Sequence, residues 1–562
     1  MTDWTTAVSF VPLAFGLRLG TLAVSLALAR RPSWCRRLAL AGSILASSLT
    51  GGAALAVVRG GPPLQGLLLS HAASRFSFDY LLAPFSAWFL LVLAVLAIPA
   101  TVYSVGYLSH AGPPGRAAFV AGALNVLLGA VEAVFLADGV VGFLLAWELM
   151  TLATAALVAT DHEIAANRRA AYVYLAMSHV GTGCLAAGFF VLTSLAGSPS
   201  FSAVLGGSVA AGGLRDVLFV LFFVGFGVKA GVIPLHVWLP EAHPAAPSSV
   251  SALMSGVLIT TGIYGLCRVC VFGLGVPGRD WGVAFILLGS LSAVLGVLYA
   301  LTQNDVKRLL AYSTIENAGI ILLGLGAGMM ALSSGRAELA AVGIAASLYH
   351  VLNHAVFKGL LFLGAGGVVM ATGTRRIEEM GGLAKRMPST ALFFLIGSAA
   401  ISGLPLLNGF VSEWLLFQAL LQAFQATPTL SRLIYPVAGA LLALTSALAA
   451  ACFVKAFGVT FLALPRGEGA AKAHESPWVM LVPQAFLAST CVVLGLFPGF
   501  VLEGLRGVVA SLPGVRPAPE MVRGLFAIAP GPGHFDHLAP PLVALAVILA
   551  AGLAGALSLL SG

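Results

Sequence analysis

A chain of 562 residues that is 59% hydrophobic and only 9% charged is no soluble domain, where about a quarter of residues carry charge. Lipid rather than one core must bury that apolar surface, so the sequence predicts an all-α polytopic membrane protein. Its net charge of +8 comes from Lys and Arg scattered through short hydrophilic gaps without an aromatic-basic stripe, which excludes nucleic acid as a partner.

Apolar runs long enough to span a bilayer fall at about 6–28, 38–58, 82–107, 117–137, 139–160, 169–194, 216–239, 248–272, 282–302, 309–331, 339–371, 389–423, 433–463, 477–499 and 540–560. The expectation is therefore 14–15 transmembrane helices. The first run has no charged segment before it and no clear cleavage site, and reads as a retained helix. With the N-terminus outside, the inner loops hold 15 Lys and Arg against 10 in the outer segments, the sense the positive-inside rule favours. Arg18, in the first run, is expected to snorkel to the interface. Cys35, Cys184, Cys267, Cys270, Cys452 and Cys491 read as small buried hydrophobes. The Cys267/Cys270 pair has no second pair to complete a metal site. Neither a metal nor a redox cofactor is expected, since four-cysteine clusters, nucleotide loops and haem-pair histidines are lacking.

The stretch 217–247, VLFVLFFVGFGVKAGVIPLHVWLPEAHPAAP, carries the strongest local signal. Lys229 lies at its centre, and a charge at bilayer depth costs about 2.5–3.5 kcal/mol, so such groups usually face protein or a water path. Pro234 removes a helix hydrogen bond and must break or kink the helix. His236, two residues on, is placed to gate access to Lys229. The stretch 389–423 repeats the pattern, with Gly403, Pro405 and Gly409 followed by Glu413. Paired interruptions in two halves of a transporter point to its ion site. Runs 4–8 and 9–13 then form two five-helix halves, inverted because each holds an odd number of spans. The expected units are 1–110 (helices 1–3), 111–275 and 276–430 (the inverted repeats, each with a broken helix) and 431–562 (C-terminal helices).

Other intramembrane ionisable groups extend this row. Glu148, mid-run in GFLLAWELMTL, reads either as a structural ion pair or as a charge that biases the proton affinity of Lys229. At about 7 Å and an effective dielectric near 20 that bias is about 2.4 kcal/mol. His350, His354 and Lys358 are spaced i, i+4, i+8, which sets them on nearly one helix face about 6 Å apart per step. That spacing fits a proton wire, with two satisfied interior histidines as the bland alternative. Further candidates are Glu132, His179, Glu316 and Lys455, the last near enough to a helix end to snorkel.

The segments WELMT, FGVKAGVIPLHVWLPEAHPAAPSSVSALMSG, DVKRLLAYSTIENAGII, HVLNHAVFKGLLFLGAG and NGFVSEWLLFQ resemble the antiporter-like, proton-translocating subunits of complex I, membrane-bound hydrogenases and Mrp antiporters. STIENAG and NGFVSEW resemble most the hydrogenase-4 component B and formate hydrogenlyase branch. The resemblance covers roughly residues 70–500. It implies a central polar axis in which Glu148 and Lys229 form the first-half pair, His350, His354 and Lys358 link the halves, and Glu413 serves the second broken helix. Some relatives carry a lysine in helix 8. Here SALMSGVLITTGIYGLCRV offers only hydroxyls, so water through Thr260 and Thr261 has to substitute. A chain ending at Gly562, just after a span, also differs from the distal complex I subunit.

The expected function is proton translocation in a redox-driven membrane complex of the hydrogenase or formate hydrogenlyase type, or in a related NADH:quinone oxidoreductase. The expected partners are other membrane subunits, a peripheral redox module and the lipid of a prokaryotic inner membrane. Two alternatives differ only in what is attached: an Mrp-type cation/proton antiporter, and a proton-channel partner of a carbon-dioxide-hydrating complex.

Overall fold

The computed structural model describes residues 4–74, 76–110, 113–205, 212–426, 431–518, 522–529 and 538–561. Arg75, counted above with the outer segments, lies outside them. In chain order the longer helices are α1 (Trp4–Ala27), α2 (Pro32–Val58), α3 (Pro84–His110), α4 (Pro114–Leu136), α5 (Val140–Val158) and α6 (Ala165–Ala196). Next come α7 (Gly213–Ala230), α8 (Leu239–Ala245), α9 (Ser248–Val271), α10 (Arg279–Thr302), α11 (Val306–Ser333) and α12 (Ala337–Thr372). The chain closes with α13 (Pro388–Ile401), α14 (Asn408–Ala426), α15 (Ile434–Phe461), α16 (Trp478–Leu496), α17 (Pro498–Ala510) and α18 (Pro540–Ser561). Among the described residues twelve helices are long and apolar enough to cross a bilayer. With the interrupted pairs α7–α8 and α13–α14 and the C-terminal α18, every expected apolar run has its counterpart.

Local chemistry explains the boundaries. Proline opens α2, α4, α13 and α17, where its missing N–H costs nothing. Asp305 caps α11 by accepting from the backbone N–H groups of Lys307 and Arg308. Helix α9 is not uniform: it passes into π-helical turns at Met254–Leu258 and Leu266–Val271 and is buried apart from the half-buried Arg268.

Two features lie outside the sequence expectation. Strands β1 (Leu64–His71) and β2 (Phe76–Leu82) pair antiparallel, in register from Leu64↔Leu82 to His71↔Phe76 with a bulge between Leu67 and Leu69. An isolated bridge from Tyr80 to Ala137 ties β2 to the α4–α5 linker. Helix α17 is a short amphipathic element that buries Val501, Leu502, Leu505, Val508 and Val509.

The centre of the molecule is α9, α11 and α12. Helix α11 packs along α10 on one side and α12 on the other, and α12 also meets α13, α14 and α16. Almost every residue from Ala340 to Val368 of α12 is buried, which positions its polar face against protein instead of lipid.

Candidate functional site

The first interruption starts earlier than proline alone dictates. Helix α7 ends at Ala230 because Gly231 adopts a left-handed φ of +73°, which a residue with a Cβ rarely reaches. Pro234 then lies inside the gap and keeps the helix from resuming until Leu239. Lys229, 1% exposed, is the penultimate residue of α7, where the unsatisfied carbonyl end favours a cation. Its ammonium donates to Thr151 Oγ1 (2.9 Å), Tyr174 OH (3.0 Å) and Ser178 Oγ (3.2 Å) and lies over the rings of Trp147 and Tyr174. His236 is half-buried in the gap, with an Nδ1 that has no protein partner.

Glu148 is not ion-paired to Lys229. Its carboxylate lies 3.3 Å from His179 Nε2, with the two side chains 29% and 53% exposed. The exposed Leu145, Leu149 and Leu152 on α5 and Tyr172 and Val180 on α6 flank that pair, so it stands on the outer flank of the bundle. The spacing of α5 placed Glu148 mid-span but not which way the helix is turned. Arg18 does not snorkel either. It is 4% exposed and forms a two-pronged ion pair with Glu132 through Nε (2.7 Å) and Nη2 (2.5 Å).

The linking residues fall where helical spacing puts them, on the buried face of α12. Lys358 donates to Leu310 O (3.0 Å) and Ser313 Oγ. His350 lies between Asn317 Oδ1 (3.0 Å from Nε2) and Ser412 Oγ (2.9 Å from Nδ1). Because the Asn317 amide N–H is given to Ser313 O, its oxygen faces His350 and accepts the Nε2 proton. His354 is fully buried and both its ring nitrogens lack protein partners. Glu316 on α11 is buried with Oε2 unpartnered, within electrostatic reach of Lys358 and Glu413.

The second interruption, Ser402–Leu407, holds two left-handed residues, Gly403 (φ +62°) and Leu406 (φ +90°). Glu413 follows on α14 and accepts from Ser446 Oγ of α15 (2.7 Å). A Cβ on Gly403 would lie 2.8 Å from Glu413 Oε2, so the broken segment runs directly against the carboxylate. Thr260 and Thr261 donate to Val257 O and Leu258 O of their own helix (2.7 Å each). Lys455 donates to Leu301 O and Gln303 O (2.9 Å each) and to Asn304 Oδ1 (3.1 Å), at the C-terminal end of α10.

Sequence reasoning passed over His243. It is fully buried on α8, has neither ring nitrogen partnered by protein, and is within electrostatic reach of His354, Lys358 and Lys307. Trp238 lies between it and Tyr174, at ring-centroid distances of 6.3 and 5.1 Å. The signal was present, since a histidine four residues past Leu239 in an apolar segment is as unusual as Lys229. Thr151, Tyr174, Ser178, Asn317, Ser412 and Ser446 carry no sequence signal, because a lone hydroxyl or amide forms no pattern. No group of three or more His, Cys, Asp or Glu arranged to hold a metal occurs among the described residues.

The family described as NADH:quinone oxidoreductase/Mrp antiporter, transmembrane, matches residues 137–434, which hold both interruptions and all of α12. Hydrogenase-4 component B of Escherichia coli (strain K12) is 39% identical over 465 residues, 82% of this chain and 68% of that one. Formate hydrogenlyase subunit 3 of the same strain is 34% identical over 468 residues, 83% of this chain and 74% of that one. Among solved structures, a chain of the membrane-bound sulfane sulfur reductase, an archaeal respiratory membrane complex, superposes with a TM-score of 0.81 at 26% identity, covering 98% of this chain and 84% of that one. This multi-pass membrane chain belongs to the NADH:quinone oxidoreductase/Mrp antiporter transmembrane family.

Proposed function

We propose that the chain is a proton-translocating membrane subunit of a redox-driven complex, of the hydrogenase or formate hydrogenlyase type, in a prokaryotic inner membrane. The observation that carries this reading is the row of buried ionisable groups between the two helix interruptions: Lys229 at the first, Glu413 at the second, and His243, His354, Lys358, Glu316 and His350 between them. A static fold gains nothing from so many deep charges. Polar atoms without protein partners, on His243, His354 and Glu316, are places where buried water hydrogen-bonds, and water completes a proton path between side chains too far apart to touch. The rest of the pathway proposal is His236 at the first gap, with Thr260 and Thr261 as hydroxyl acceptors on α9.

The pathway runs between two five-helix halves that we read as inverted repeats. The relatives' names, a component and a subunit, place them in larger assemblies, and we extend this to partner membrane subunits and a peripheral redox module that supplies the driving reaction. Glu148 and His179, on the outer flank, are then suited to receive that signal from a neighbouring subunit. An Mrp-type antiporter or a carbon-dioxide-hydrating complex would use the same path with other attachments. In proteoliposomes containing the intact complex, Lys229→Ala and Glu413→Gln should each abolish proton movement while the complex stays assembled. Undiminished pumping in both rejects the assignment.

A further inference from the structure

Polar contacts run from helix α8, beside the first interruption, through the loops at 301–306 and 374–378 to Lys455 of α15. Helix α8, only seven residues long, is gripped three times from outside: Arg308 Nη2 on Glu241 Oε1 (3.0 Å), Lys307 Nζ on Ala246 O just past its end (2.9 Å), and Arg375 Nη1 on Pro244 O (2.7 Å). Those three cations come from two segments that are themselves laced together. Val306 N donates to Arg375 O, Ile377 N donates to Asn304 O, and Arg375 pairs with Asp305 (3.1 Å). Asn304 Nδ2 donates to Glu378 Oε1 (2.6 Å). Lys455 of α15 then binds Leu301 O, Gln303 O and Asn304 Oδ1 of the same loop. Nine residues earlier on α15, about 13 Å along the axis, Ser446 holds Glu413.

We propose that Lys455, Arg375 and Arg308 are positioning residues that fasten the two helix interruptions to each other, so that displacement of α8 is transmitted through this belt and α15 to the Glu413 carboxylate. Each end follows a left-handed break at which its element turns away from the preceding helix, so neither is a rigid continuation of that helix. Beyond Gly231, α8 is tied to α7 by Trp238 Nε1 on Val228 O (2.7 Å) and to α9 by Ser251 Oγ on His243 O (2.8 Å), and its side-chain grip from the far loops comes from the three belt cations. Lys455 also sits at the carbonyl end of α10, where the helix favours a cation, so the anchor is firm. The link gives the path a mechanical coupling alongside its electrostatic one. Its importance for transport rests on the proton-path reading, whereas the link itself does not.

Hydrogen exchange of the intact solubilised complex, followed by mass spectrometry, tests it. Lys455→Ala should speed exchange in 239–246 by about tenfold although Lys455 touches none of those residues, and Lys455→Arg should restore protection. Arg308→Gln, which cuts only the Glu241 contact, should speed exchange reciprocally in 408–414 and covers the case where Lys455→Ala fails to assemble. In vesicles, protons moved per turnover should fall in Lys455→Ala and return in Lys455→Arg. Faster exchange confined to 301–305 and 374–380, with 239–246 and 408–414 unchanged, overturns the proposal. If exchange is coupled but Lys229→Ala still pumps, the belt stands and the path reading fails.

Discussion

Two regions of this molecule bury charge inside the membrane, and they do it in opposite ways. Between α1, α2 and α4, Arg18 gives two hydrogen bonds to Glu132, one to Asn125 Oδ1 and one to Ser47, while Thr50 donates to Glu132 as well. Along α11 and α12, Glu316 and His354 have polar atoms that no protein group meets, and Lys358 is held by one hydroxyl and one carbonyl. Both regions are almost completely excluded from solvent. A charge bonded to an opposite buried charge is fixed in one state, since losing its proton or partner strands the other. A charge left partly unmet can exchange protons with water at little structural cost. An opposite charge fixed against it, more than depth, separates a lock from a carrier.

Breaking the lock should have the largest effect. Arg18→Ala leaves Glu132 buried and alone, a loss of about 3–5 kcal/mol, and should appear as a sharply lower thermal midpoint or failed assembly of the complex. The double change Arg18→Met with Glu132→Leu should recover most of that stability and keep proton translocation. If the double variant is stable but does not pump, the ion pair belongs to the path and the contrast collapses.

The carrier region should respond inversely. Glu316→Gln and Lys358→Met should each abolish proton uptake in vesicles while lowering the thermal midpoint less than Arg18→Ala does. A midpoint loss as large as that of Arg18→Ala would assign Glu316 and Lys358 to the same structural class as Arg18. Gly403→Ala probes the boundary between the two effects. Left-handed backbone costs an L-residue about 1–2 kcal/mol, and the new methyl would press on the Glu413 carboxyl at 2.8 Å. Transport should slow more than stability falls. Equal pumping in Gly403→Ala and the parent would show that the broken segment does not shape the Glu413 site.

The sequence was informative wherever the signal is local. Helix periodicity put His350, His354 and Lys358 on one buried face, and Gly and Pro marked both interruptions to within a few residues. It was silent wherever the answer depends on which helices become neighbours. Arg18 and Glu132 are 114 residues apart, and nothing in either segment announces the other. The Glu148 partner was hidden for the same reason: a carboxylate mid-span has a partner, and the rotation of α5 decides that it is His179. The β1–β2 pair was unread because a short, leucine-rich β1 shows little alternation beside such strong helical runs. The π-helical turns of α9 have no composition signal at all.

The smallest effect belongs to charges that are paired but wet. Arg116 at the start of α4 bridges Asp161 (2.7 Å) and Glu163 (2.5 Å), with all three side chains partly or largely exposed. Such pairs contribute little, because water screens the attraction and the long side chains lose freedom. The Glu163 carboxyl is held below the ordinary carboxylate range, first by its own backbone N–H, with burial opposing it and Arg116 and His162 adding smaller downward pulls. A carboxyl lowered on folding stabilises above its unfolded value, near 4.3, and loses that contribution as pH falls through its folded one. Arg116→Ala should therefore lower the thermal midpoint at neutral pH only slightly, and that small difference should fade as pH falls, giving a shallower acid-side decline. Midpoints measured from pH 7 down to the onset of acid unfolding decide this. If Arg116→Ala lowers the neutral midpoint as far as Arg18→Ala does, satisfied burial is not what makes a lock.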